Sequence, residues 1–81
     1  MKLQSGHVVL QPGEEVGLHN SDHYQELIIV LEGEGVFEAE PIGAQSISKG
    51  QIAYNPPGTQ HNVINTGKSL LRYIFVVSEV V

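Results

Sequence analysis

Two histidines and a glutamate, His19, His23 and Glu26, fall within eight residues of the stretch GLHNSDHYQELIIVLEGEG, Gly17 to Gly35. A further histidine, His61, closes on them from GQIAYNPPGTQHNVIN, Gly50 to Asn65. Imidazole nitrogens and a carboxylate oxygen are donors for a divalent ion; the same residues also make ordinary polar strand edges. The chain has no cysteine, so a zinc finger, an iron–sulfur cluster and a cysteine nucleophile are excluded. Any ion here rests on nitrogen and oxygen. His7 reads as a surface or hydrogen-bonded strand residue, and Asn20, Asp22 and Asn65 read as turn and strand-end residues.

These candidates sit on separate segments, so the fold must bring them together. At 81 residues the chain, 1–81, reads as a single domain. Turn formers recur along it: QPGEE, HNSD, EGEG, EPIGAQ, SKGQ, NPPGTQ and NTGKS. Between them lie short runs rich in Val, Ile, Leu, Tyr and Phe, the spacing of an all-β sandwich or barrel. About seven or eight strands are expected, including 6–10, 25–31, 36–40, 45–47, 51–54, 61–65 and 70–77, with no helix. The EGEG segment predicts a tight turn around Glu34 and Gly35, then a strand with Phe37 and Ala39 inward and Glu38 and Glu40 in water. In the last strand Leu71, Tyr73, Phe75 and Val77 share one face, and Leu70, Arg72, Ile74 and Val76 the other. Both faces are largely apolar. One fills the interior and the other needs cover, which predicts a homodimer.

The spacing of the two stretches resembles the paired motifs of the cupin superfamily. The first motif there runs Gly, five residues, His, one, His, three or four, Glu, six, Gly. Here Gly13, His19, Ser21, Glu26 and Gly33 occupy those places. The second runs Gly, five, Pro, one, Gly, two, His, three, Asn, and Gly50, Pro56, Gly58, His61 and Asn65 match it throughout. The motifs span roughly two thirds of the chain, Gly13 to Asn65. The resemblance implies a double-stranded β-helix, or jelly-roll barrel, with a metal site inside it.

The departure falls on a ligand position, where Ser21 replaces the second histidine. His23 has the parity of His19 and Ser21 and would point the same way in an extended segment, yet Asn20, Ser21 and Asp22 favour a turn, which breaks parity. Without His23 the donors are His19, Glu26 and His61, the two-histidine, one-carboxylate set that suits iron(II) and leaves open positions. With it there are three histidines and a carboxylate, which the resembled family fills with manganese, iron, nickel, cobalt or zinc. An emptied, polar cavity is the alternative to either. Tyr54, Gln60, Tyr73 and Phe75 are candidate substrate-binding residues from strand position.

The resemblance implies a metal-dependent enzyme of dioxygenase, isomerase or decarboxylase type on a small organic molecule, or else a small-molecule binding or sensor module. TGKS, Thr66 to Ser69, is no phosphate-binding loop, because position 62 is Asn rather than Gly and a strand follows. A net charge of −5 with four Lys and Arg argues against nucleic acid and anionic membranes as partners. No run is long and apolar enough for a membrane-spanning helix. The start lacks the features of a secretion signal, and a cytoplasmic location is expected.

Overall fold

The computed structural model describes residues 3–40 and 42–80. Within them the chain forms eight strands and no helix: β1 (Leu3–Leu10), β2 (His19–Asn20), β3 (Tyr24–Glu32), β4 (Glu34–Ala39), β5 (Gly43–Ser48), β6 (Ile52–Asn55), β7 (Gln60–Ile64) and β8 (Leu71–Glu79). They pair antiparallel in two four-stranded sheets, in the order β1-β8-β3-β6 and β2-β7-β4-β5. Successive strands alternate between sheets through much of the chain, as in a double-stranded β-helix.

The core lies between the sheets and is chosen by alternation. Ile28 and Val30 of β3, Phe37 and Ala39 of β4, Ala53 of β6, and Leu71 and Tyr73 of β8 all turn inward and are buried, with Leu10, Ile47 and Val63 completing the cluster. Each fully buried aliphatic or aromatic side chain contributes roughly 1.5–3 kcal/mol, and together they close the barrel without a cross-link. Phe75 packs against this cluster over Gly6 of β1. A Cβ on Gly6 would lie 2.5 Å from the Phe75 ring, so a side chain there would displace Phe75.

Expected and observed strands differ mainly at their ends. β1 begins at Leu3 and β8 runs on to Glu79, and the two pair residue for residue from Leu3↔Ser78 to Leu10↔Leu71. The turn before β4 centres on Gly33, not on Glu34 and Gly35, which are already in the strand. Gly33 has φ 84°, and a Cβ there would sit 2.1 Å from the Leu70 carbonyl oxygen. Only glycine fits both demands. Phe37 and Ala39 point inward as expected, Glu40 is exposed and Glu38 half-buried. Pro41, expected in the next turn, lies outside the described residues.

The two-residue β2 has no counterpart in the expected strands. It exists because Gly13 to Gly17 runs beside β7 through separate bonds: the Gly13 amide to the Asn65 carbonyl at 2.9 Å, the Asn65 amide to the Glu14 carbonyl at 2.9 Å, and the Val16 amide to the Val63 carbonyl at 3.0 Å. Asn65, almost fully buried, donates its Nδ2 to the carbonyls of Leu10 at 2.8 Å and Ser69 at 2.9 Å, and its Oδ1 accepts from the Gly67 amide. It is a strand-end residue, as its sequence setting suggests.

Candidate functional site

His61 lies on β7, where strand alternation buries it. Its register partner across the antiparallel pair is His19 of β2, and the two rings meet edge to face with centroids 4.0 Å apart. Glu26 comes from the opposite sheet on β3, sharing inward parity with Ile28 and Val30. Its Oε1 is 3.0 Å from His61 Nε2. His19, Glu26 and His61 thus each offer a ligand atom within 4.8 Å of the others, two from one sheet and one from the other.

Hydrogen bonds aim these side chains. His19 Nδ1 donates to the Gly17 carbonyl at 2.7 Å, which leaves Nε2 bare, as metal-binding histidines require. Gly17 is fixed in turn by its amide, which donates to Asn62 Oδ1 at 2.8 Å, while Asn62 Nδ2 donates to Glu15 Oε1 at 3.1 Å. Behind His61 stands Asn55, with 0% exposure and its Nδ2 2.7 Å from His61 Nδ1. Proline at position 56 holds the residue before it extended, so Asn55 follows Ala53 inward on β6. Asn55 is missing from the expected site residues; the readable signal was an asparagine at the same parity as a buried Ala53.

Ser21 is not a ligand substitute but a staple. It is 8% exposed; its Oγ donates to the Pro56 carbonyl at 2.9 Å and accepts from the Thr59 amide at 3.0 Å. It ties the segment after β2 to the loop before β7. His23 does not join the group. Asp22 takes φ 52°, a left-handed turn that breaks the alternation which would carry His23 inward. Its Nε2 instead reaches Glu79 Oε2 at 3.1 Å with its side chain 61% exposed, and its ring lies beside Tyr24.

The three candidate ligands border two cavities. One, of about 220 Å³, is walled by Val8, Val16, Ile28, Val63, Tyr73 and Phe75. The other, of about 200 Å³, is bounded by Gln4, Asn20, Ser21, Tyr24 and Val77. No Lys or Arg lines either among the described residues. Tyr73 and Phe75 therefore stand at the site, whereas Tyr54 and Gln60 do not. Tyr54 falls between inward Ala53 and Asn55, is 51% exposed, and donates its hydroxyl to Gln25 Oε1 at 3.0 Å on the outer face. Gln60 is exposed beside Leu18, Glu38 and Glu40. Burial, and then the charge of Glu26, raise the Tyr73 phenol well above its ordinary pKa, so it remains a hydrogen-bond donor.

The donor set fits a divalent transition ion: one imidazole with its lone pair free, a second imidazole, and a carboxylate facing both. The family model for the Cupin domain matches residues 6–77. The chain is a cupin. Among its relatives is an oxalate-binding protein of Thermotoga maritima, 34% identical over 68 residues that make up 84% of this chain and 55% of the relative. A Thermotoga maritima crystal structure described as a predicted oxalate decarboxylase superposes with TM-score 0.89 at 30% identity, over 94% of this cupin and 65% of that chain. The cupin domain of Schizosaccharomyces pombe Cnp3 superposes with TM-score 0.90 over 95% of this chain and 56% of its own; at 19% identity that likeness concerns the fold alone. This cupin spans about half the length of the curated relative it matches.

Proposed function

We propose that this cupin holds one divalent transition ion, of manganese, iron, nickel, cobalt or zinc, on His19, Glu26 and His61, and through it binds a small organic carboxylate. The observation that carries this reading is the approach of three donor atoms, from three strands and both sheets, to within 4.8 Å. Such an ion supplies Lewis acidity and open positions for a bound oxyanion. Oxalate is the probe of choice because a 34% identical relative is named for binding it. The cavities favour ion-dependent capture: an anion entering them meets no Lys or Arg among the described residues, and an uncompensated buried carboxylate is costly.

The residues of the chain have separable tasks. Gly17 and Asn62 orient His19; Val8, Ile28, Val63 and Phe75 exclude water from one side; Tyr73 offers a phenol proton to a bound oxygen. Apart from the ligands, only the tyrosines Tyr24 and Tyr73 bring an ionisable group to the described cavity walls. That favours binding over turnover, so a binding or sensor module is the first reading and a dioxygenase, isomerase or decarboxylase the second. A homodimer and a cytoplasmic location belong to the same proposal, with neither nucleic acid nor membrane as partner.

Calorimetric titration of chelator-stripped protein with Mn²⁺ or Co²⁺, then with oxalate, tests it. One equivalent of ion is expected, with oxalate bound only by the loaded protein. His61→Ala and Glu26→Gln should abolish both. Stoichiometric ion retained by His61→Ala overturns the assignment. Carbon dioxide release or oxygen uptake from loaded protein with oxalate would move the reading from binder to enzyme.

A further inference from the structure

His61 commits its two nitrogens to different neighbours. Nδ1 faces Asn55 Nδ2 at 2.7 Å, and an amide nitrogen only donates, so Nδ1 accepts and carries no proton. A neutral ring then carries its proton on Nε2, which lies 3.0 Å from Glu26 Oε1. In this tautomer the lone pair needed by an ion beside Glu26 is occupied by a proton. His19 is set the opposite way, with Nδ1 donating to the Gly17 carbonyl. The site therefore has one imidazole ready for an ion and one that is not.

The group that fixes His61 has a second setting built around it. Asn55 Oδ1 accepts from Thr59 Oγ1 at 2.7 Å. The Thr59 hydroxyl has one proton and another acceptor in reach, the Pro56 carbonyl at 2.8 Å. If the Asn55 amide turns over, Nδ2 donates to Thr59 Oγ1, the hydroxyl proton passes to the Pro56 carbonyl, and Oδ1 accepts from His61 Nδ1. The ring proton then belongs on Nδ1, and Nε2 is bare. One proton leaves Nε2 to water and one arrives at Nδ1, so the count is unchanged. The Thr59 carbonyl, 3.4 Å from Nδ1, is too distant to hold that proton well by itself. Asn55 is fully buried and Thr59 is anchored through Ser21, so neither setting depends on a mobile surface group.

We propose that Asn55 is a two-position amide that selects the His61 tautomer and so sets the affinity of the site for a divalent ion. The inference rests on the metal reading above and names the residue on which its strength depends. Asn55 is a positioning residue, acting through His61.

The test uses the full chain, with nitrogen-15 NMR of the histidine rings in the stripped and zinc-loaded protein and zinc titrations of two variants. Stripped wild type should show the His61 proton on Nε2, moving to Nδ1 with zinc. Asn55→Ala, which removes the acceptor, should weaken zinc binding about 10- to 100-fold. Asn55→Asp, whose carboxylate only accepts, should hold the proton on Nδ1 without zinc and bind at least as tightly as wild type. A proton on Nδ1 in stripped wild type overturns the proposal without recourse to any variant. So does wild-type zinc affinity in Asn55→Ala, or equal losses in both variants. Absence of zinc uptake by wild type sinks the metal reading and the switch with it, whereas normal uptake with an indifferent Asn55 sinks the switch alone.

Discussion

Tyr73 carries a pH dependence whose sign follows from its surroundings. Burial and Glu26 raise its phenol above the ordinary value of 10.0, so the folded chain holds that proton more tightly than the unfolded chain does. The associated stability is fully present below pH 10 and drains away as pH rises from there. Denaturant midpoints measured from pH 8 to pH 11.5 should fall on the alkaline side for wild type, and less steeply for Tyr73→Phe. Ser21 makes a contrasting prediction. Removing its hydroxyl strands the Thr59 amide, while the Pro56 carbonyl keeps Thr59 Oγ1, and a buried unsatisfied group costs about 1–3 kcal/mol. Ser21→Ala should therefore lower stability by that order in urea unfolding, and Ser21→His should restore no fourth ligand, because the position is spent on holding a loop.

At the scale of elements, the alternation of apolar residues made β3, β4, β6, β7 and β8 legible, and the motif spacing put His19, Glu26 and His61 forward together. What stayed hidden depended on the backbone between strands. The left-handed turn at Asp22 decides where His23 goes, and no parity count can see it. Strand position alone points Tyr54 to the pocket, but a one-residue difference in phase with Ala53 and Asn55 places it on the outer face. β2 owes its existence to hydrogen bonds with β7, a tertiary cause with no local signature. Gly33 illustrates how strict the turns are. Gly33→Ala adds a methyl at positive φ against the Leu70 carbonyl, and the stability loss in thermal melts should exceed the ~1 kcal/mol typical of an ordinary point substitution.

Across the whole molecule, the outer face of the β1-β8-β3-β6 sheet presents Leu3, Val9, Leu27, Ile52 and Tyr54 to solvent, beside half-buried Ile29, Ile74 and Val76. Contiguous apolar faces of this kind are covered by partners, and the proposed homodimer uses this one. Light scattering should give twice the 8.8 kDa chain mass, and Ile52→Glu should return the chain mass while leaving the His19, Glu26 and His61 geometry untouched. A monomeric wild type at micromolar concentration would remove the dimer from the proposal.

The short strand bearing His19 has a kinetic consequence. His61 and Glu26 stand on strands with a neighbour on each side, but His19 is solvent-exposed on the edge strand β2 and hangs from a segment steadied by Asn62. Segments of this sort open at far lower free energy than a core strand, so the exit of a bound ion would be timed by that opening. In a stopped-flow chase with excess chelator, Asn62→Ala should release Co²⁺ several-fold faster than wild type with little change in association rate, marking the Gly13 to Asn20 segment as the latch that governs residence time.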